Sequence, residues 1–419
     1  MSEKLNINII LEKLYSKNRL GIKPGLERSI ILDDFMSYPH KSYKTIHIAG
    51  TNGKGAVASI LASYLIELGL SVGLYTSPHI NKFNERIRVN SEMISDEEVI
   101  NIYKQIEDVS EEIDATFFEI TSTIAFQHFK AKDVDYAIIE TGMGGRYDST
   151  NIITPVLSII SSISLDHQEY LGDTITKITK EKAGIIKENI PCIYNSSNSQ
   201  IRHIIESKAL IMNTIAYNIR VSPYLDNYVI DNTICVEING FKIKTPFIGK
   251  YQLENMNLVI RAIIYLFYKL DEENLQRSLN NLRKNSGYMS RTEVLRVDPL
   301  IIIDVGHNEA AFLSLYNTLN EVYPSTKFNV VFAAMGDKDV SNMLRFIKPI
   351  TENLVLTKAN NIRSMDINKL YSIANNNGFD SISIEDPIEA YNYVLSKEKP
   401  ILICGSFYLI GDLFDLQKD

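Results

Sequence analysis

Thr45-Ile46-His47-Ile48-Ala49-Gly50-Thr51-Asn52-Gly53-Lys54-Gly55 is the stretch on which the fold turns. An apolar run suited to a strand enters a turn rich in glycine and carrying one lysine. Beyond it Val57, Ile60, Leu61, Tyr64, Leu65 and Leu68 recur at helical spacing, and Gly69 suits the stop. Glycines let backbone N–H groups converge on phosphate oxygens, and a helix N-terminus adds partial positive charge. Lys54 adds a full charge. The usual phosphate-loop pattern places Ser or Thr directly after Gly-Lys to reach magnesium. Here Gly55 stands in that place and Ala56 follows, so the loop suits phosphate and the metal's hydroxyl must come from elsewhere.

Outward from this loop, short apolar runs alternate with helical patterns. Strands are expected over residues 45–49, 72–75, 134–139 and 156–163, which implies a mainly parallel sheet covered on both faces. Residues 217–247 are rich in β-formers and include Asn239-Gly240, so a small antiparallel insert is expected there. Helical patterns resume over 255–270 and 274–283. Residues 284–290 read as a linker, after which strands over 300–303, 328–332, 354–357 and 401–404 suffice for a second, Rossmann-like sheet. The expected division is 1–287 and 291–419.

With 419 residues, 45% of them hydrophobic and 22% charged, the chain has an ordinary globular composition with room for two domains. A net charge of -8 gives no global field toward nucleic acid or an anionic membrane. Cys192, Cys235 and Cys404 form no CxxC pair, and the N-terminus has no signal-peptide pattern; both suit the cytoplasm.

Several strand ends carry chemistry. Tyr75-Thr76-Ser77-Pro78-His79 follows the second strand, where Ser77 can supply the missing hydroxyl. Glu140 ends the third strand, before Gly142-Met143-Gly144-Gly145, and an acid there suits magnesium. Asp166 and His167 follow the fourth. Lys182 lies four residues after Ile178 and three before Ile185, which puts it on an apolar face. It either snorkels to water or is a desolvated, partly neutral amine able to take up carbon dioxide as a carbamate. Arg291 sits at the linker, within reach of a phosphate, and Asp304 at a strand end suits a ribose hydroxyl.

Together these residues resemble the folylpolyglutamate synthase/dihydrofolate synthase family of the Mur ligase superfamily, from Leu20-Gly21-Ile22-Lys23-Pro24-Gly25-Leu26-Glu27-Arg28 to Gly405-Ser406-Phe407-Tyr408-Leu409-Ile410-Gly411. The segments that carry the resemblance are His47 to Gly55, Thr76-Ser77-Pro78-His79, Asn84-Glu85-Arg86-Ile87, Thr116-Phe117-Phe118-Glu119, Gly142 to Asn151, Leu165-Asp166-His167, Glu181-Lys182-Ala183-Gly184-Ile185 and Asp337-Lys338-Asp339.

The resemblance implies an N-terminal P-loop-type ATPase domain and a C-terminal Rossmann-like α/β domain with the site between them. It implies an ATP-dependent acid–amino-acid ligase that adds L-glutamate to dihydropteroate or reduced folates, or to reduced folates alone. Gly50, Thr51, Asn52, Gly53, Lys54, Gly55, Gln252, Asn255, Arg291, Asp304 and His307 would serve ATP. Ser77, Glu140, His167 and a carbamylated Lys182 would hold magnesium at two sites, and Glu140, His167 and Lys182 would be catalytic. Arg86, Phe117, Phe118, Asp148 and Thr150 would serve the folate. A monovalent cation is compatible with this set, and the chain is expected to act as a monomer. Against the family's pattern, Ala56 and Ser290 stand where serine and glycine are usual, and Ser149 where alanine is usual. A cell-wall Mur enzyme acting on UDP-linked substrates and a nucleotide-binding switch without ligation are the competing readings.

Overall fold

The computed structural model describes residues 7–17, 25–219, 227–230, 233–238 and 241–414. Leu20–Pro24 of the resemblance and the Asn239-Gly240 turn lie outside the described residues.

The N-terminal half builds one sheet from β1 (Lys44–Ala49), β2 (Val72–Tyr75), β3 (Ile87–Val89), β4 (Glu92–Met93), β5 (Tyr136–Glu140), β6 (Leu157–Ile160), β7 (Cys192–Tyr194) and β8 (Ala216–Asn218). Their order is β4-β3-β2-β5-β1-β6-β7-β8, parallel throughout except for the β2-β3-β4 edge. Strand alternation sorts the side chains. Ile46, Ile48, Leu74, Ile138 and Ile159 pack with helices Lys54–Glu67 and Tyr251–Phe267 on one face. Tyr75, Ala137 and Ile139 pack with helices Ile7–Lys17, Asp96–Glu112 and Phe117–Ala131 on the other.

Two sequence expectations change here. Tyr217 does not open the antiparallel insert; it lies in β8, a parallel edge strand of the main sheet, paired with Ile193. The insert comprises β9 (Asn227–Ile230), β10 (Thr233–Ile238) and β11 (Phe241–Lys244), all antiparallel. The helix after the glycine loop is not apolar along one stripe only. Every residue from Ala56 to Leu65 is buried, because helices Tyr251–Phe267 and Glu272–Asn280 cover the side away from the sheet. Leu68, placed on the stripe by its spacing, is exposed beyond the helix end.

Helix Leu282–Ser286 takes up the first part of the expected linker, leaving a short crossing from Gly287 to Arg291. The C-terminal sheet follows, with β12 (Glu293–Val297), β13 (Leu300–Asp304), β14 (Phe328–Phe332), β15 (Thr351–Leu356), β16 (Ser381–Ser383) and β17 (Ile401–Cys404) in the order β12-β13-β17-β14-β15-β16. Only the β12-β13 edge is antiparallel. Among the described residues no helix is long and apolar enough to cross a membrane.

Candidate active site

The C-terminal ends of β1, β5 and β6 face that of β13 across a cavity of ≈ 400 Å³. Gly50 and Gly53 carry φ of 154° and 88°. A Cβ on Gly53 would meet Asn255 Oδ1 at 2.3 Å, so the turn needs glycine for contact as well as for conformation. The loop is stitched to the run after β6. Ser161 and Ser162 donate to Asn52 O at 2.8 and 3.0 Å, and Thr51 Oγ1 donates to Ser164 O at 3.0 Å. Those serines give the loop its shape, a role that no local sequence pattern marks.

Lys54 Nζ donates to Gly50 O and Thr51 O, both at 3.3 Å, and lies 3.9 Å from Glu140 Oε1. Glu140 is buried at the end of β5 and accepts the Ser77 N–H at 3.0 Å. Burial raises its pKa, with Lys54 opposing. His167, at φ 48°, is held neutral by burial, its pKa lowered to about 4. Among the described residues no three His, Cys, Asp or Glu side chains form a metal-ligand group.

Lys182 ends helix Ile175–Lys182 and is 3% exposed, its Nζ donating to Gly50 O at 2.6 Å. It does not snorkel. The chain tightens into a 3-10 turn after Lys182, and Ile185 and Ile186 pack in one cluster with Ile175 of the helix. Burial first and Lys54 second lower its pKa to about 7. The helix end is pinned by a close approach, since a Cβ on Gly184 would lie 2.4 Å from Arg146 Cα. Gly184→Ala is therefore expected to destabilise the protein by about 1–3 kcal/mol through overpacking against backbone. Thermal unfolding of the variant checks this, and an unchanged midpoint would refute it.

The C-terminal half closes the cavity. Asn52 and Asn308 exchange side-chain hydrogen bonds of 3.1 and 3.0 Å across the two halves. Asp166 accepts from Lys338 Nζ at 2.8 Å and from Asn308 Nδ2 at 3.1 Å, with His307 Nε2 at 3.8 Å. Burial alone would raise the Asp166 pKa, but His167, Lys338 and His307 outweigh it and hold the carboxyl well below its usual range. Asn308 and Lys338 were not among the expected site residues; the Asp337-Lys338-Asp339 run was the one sign of the latter.

Arg291 lies over the Phe407 ring at 4.7 Å and lines the cavity with Asn255, Asp304 and His307. Gln252 does not line it; buried behind Asn255, it accepts from Asn255 Nδ2 at 2.9 Å. Asp304 accepts from Thr292 N–H, Thr292 Oγ1 and Gly306 N–H at 2.7, 2.9 and 2.6 Å, so its carboxylate also anchors the crossing. Ser290, where glycine would be usual, adopts φ 61°, a left-handed conformation unfavourable to a residue with a Cβ.

Arg86, Phe117, Phe118, Asp148 and Thr150 lie outside the cavity lining. Phe118 packs against Gly142, where a Cβ would meet its ring at 2.4 Å. Arg86 donates from Nε to His79 Nδ1 at 2.7 Å and lies 5.2 Å from the centre of the Phe117 ring. Tyr15 stacks on the other side of this group, 5.6 Å from Phe117, a neighbour the sequence did not suggest. Ser149 turns its hydroxyl to Ser122 Oγ at 3.0 Å and Phe118 O at 3.3 Å, bracing the start of helix Phe117–Ala131.

Known proteins resemble the chain over nearly its whole length. The Mur ligase middle domain model matches residues 48–263, and the Mur ligase glutamate ligase domain model matches residues 290–407. The dihydrofolate synthase/folylpolyglutamate synthase of Bacillus subtilis is 33% identical, over 96% of each chain. Folylpolyglutamate synthase of Mycobacterium tuberculosis, complexed with ADP and AMPPCP, matches with a TM-score of 0.88 at 26% identity, over 99% of this chain and 98% of that one. The bifunctional folylpolyglutamate synthase/dihydrofolate synthase of Yersinia pestis, complexed with AMPPNP and a Mn ion, matches with a TM-score of 0.85 at 25% identity, over 99% of each.

Proposed function

Because the chain belongs to the dihydrofolate synthase/folylpolyglutamate synthase family of the Mur ligases, we infer that it is an ATP-dependent ligase joining L-glutamate to dihydropteroate and reduced folates. The observation that carries this reading is that Lys54 and Lys182 both donate to the carbonyl of Gly50, with Glu140 3.9 Å from Lys54, inside a cavity that both halves line.

In the reaction a carboxylate oxygen of the folate-type acceptor attacks the γ-phosphorus of ATP. The bond to the β–γ bridging oxygen breaks, and ADP leaves. The glutamate amine then attacks the resulting acyl phosphate, loses a proton and expels phosphate as the amide forms. Two anions must approach, so neutralisation and positioning dominate. The N–H groups of Gly50–Gly55, as a P-loop-type turn, cradle the phosphates. Lys54 exchanges its two loop carbonyls for phosphate oxygens, and Arg291 reaches the γ-phosphoryl from the crossing. Asp304 and His307, at the strand end of a Rossmann-like domain, take the adenosine part, with Asn255, braced by Gln252 behind it, shaping the opposite wall. Outside the cavity lining, Phe117, Phe118, Arg86 and the Asp148–Thr150 loop receive the pterin. Closure of the two halves excludes water that would hydrolyse the acyl phosphate.

The donor set fits magnesium. Glu140 is a buried carboxylate with Lys54 3.9 Å away and Arg291 and Arg86 acting on it from further off, His167 is neutral, and Ser77 lies beside Glu140. These three would hold one ion, and a carbamate on Lys182 would help to hold a second. When bound, magnesium supplies positive charge to the transferring phosphoryl group. We place the two domains at 1–287 and 291–419. We also assign a monomer in the cytoplasm, where three buried, unpaired cysteines suit a reducing environment.

The test is the purified protein with ATP, magnesium and glutamate, offered dihydropteroate or tetrahydrofolate separately. Glutamate-dependent ADP release with both is expected. Release with tetrahydrofolate alone would restrict the activity to tail extension, and turnover of a UDP-linked peptide instead would overturn the assignment.

A further inference from the structure

His47 is a fully buried histidine that the reaction above does not use. It sits in β1, just before the phosphate loop. Its neighbours Ile46 and Ile48 point into the face under helix Lys54–Glu67, so alternation turns the imidazole to the opposite face. There Nε2 lies 2.8 Å from Thr150 Oγ1, and Thr150 Oγ1 lies 2.5 Å from Asp148 Oδ1.

The order of donors along this chain is fixed. Asp148 also receives backbone N–H groups from Thr150 at 3.1 Å and Met143 at 2.9 Å, which marks it as an acceptor. The Thr150 hydroxyl therefore donates to Asp148, and its oxygen accepts from His47 Nε2–H. The remaining nitrogen, Nδ1, is buried with no hydrogen-bond partner among the described residues. Burial keeps the ring neutral, with a pKa lowered to about 3.

An orphaned buried nitrogen is a cost that an aliphatic side chain would avoid. The histidine is thus retained for what its other nitrogen holds. Downstream, Lys187 Nζ donates to Asn151 O at 2.7 Å, and Asn151 Nδ2 donates to Gly184 O at 3.2 Å, two residues beyond Lys182. The same loop is fastened to the phosphate-loop strand at one end and to the Lys182 turn at the other.

We propose that His47 is a positioning residue that, through Thr150, sets Asp148 and the Gly142–Gly145 turn in register with the strand carrying the phosphate loop. The proposal rests on reading the Asp148–Thr150 loop as the pterin side of the site.

Steady-state kinetics of the full chain test it, with His47→Leu, His47→Gln and Thr150→Val. His47→Leu and Thr150→Val should raise the KM for dihydropteroate by about tenfold or more and leave the KM for ATP within about twofold, since misplacement weakens one substrate's site only. Glutamine can present its amide nitrogen near the Nε2 position, so His47→Gln should recover most of the loss. The double variant His47→Leu/Thr150→Val should be no worse than the worse single one, because both break one link. Equal increases in both KM values, a His47→Leu variant that matches wild type, or a glutamine variant no better than leucine would each overturn the proposal. Should His47→Leu fail to fold, His47→Asn, whose amide matches the Nδ1 rather than the Nε2 position and falls short of Thr150, decides by the same comparison. Failure of the wild-type protein to ligate glutamate to any folate would instead sink the functional assignment.

Discussion

Lys182→Ala is expected to leave the protein folded and to slow ligation by at least about 100-fold, the effect of losing one transition-state contact worth roughly 2.7–4 kcal/mol. The lysine is buried, with its amine on the Gly50 carbonyl, and burial has lowered its pKa to about 7. A charged ammonium there opposes folding, so its removal does not threaten the fold as loss of a core leucine would. Turnover beside thermal melting separates the two effects. Lys182→Arg sharpens the reading, because arginine stays charged and forms no carbamate under these conditions. Equal inactivity of the arginine variant fits a carbamate. An active arginine variant would mean that fixed positive charge suffices, and wild-type turnover in the alanine variant would end any role for this residue.

The second large effect concerns the latch between the halves. Asp166 and Lys338 are 9% and 8% exposed and 2.8 Å apart. Removing one member takes the nearest partner from the other's charge; the pair is partly buried and Lys338 keeps Asp337 at 3.6 Å, so the loss falls below the roughly 3–5 kcal/mol of a fully buried pair. Asp166→Ala should therefore lower the denaturation midpoint and reduce turnover, since Asn308 and Lys338 lose their common acceptor. Asp166→Ala/Lys338→Met should regain much of the stability, a neutral pair being tolerated where a lone charge is not. It should not regain the turnover, because the C-terminal half still lacks its hold on the loop beside His167. A single variant as stable as wild type would show that the pair is open to water and contributes little.

How far the sequence could be read follows from the range of the physics involved. Periods of 2 and 3.6 are local, so β1, β2 and the helix after Lys54 were legible almost to the residue, as were the strand-end groups Glu140 and Asp304. The resemblance pointed to positions that spacing does not mark, among them Asn255, which lines the cavity, and Gln252, which lies behind it. Tyr217 was misread because an exposed edge strand and an antiparallel insert share one composition; only the partner, β7, tells them apart. Leu68 was misplaced because a periodic stripe continues in sequence after the helix has ended.

The glycine loop with which the chain's fold was first legible is thus local in its plan: a strand, a glycine turn at φ 88° and a helix starting at Lys54 follow from neighbouring residues. What that loop is fastened to was decided by tertiary structure. The Asn52–Asn308 pair joins residues far apart in the chain, and the Asp166–Lys338 pair and the His47–Thr150 link do likewise. Hydrogen bonds and ion pairs act over a few ångströms of space with no regard to sequence separation. No local period encodes them, and they exist only once the sheets have brought their strand ends together.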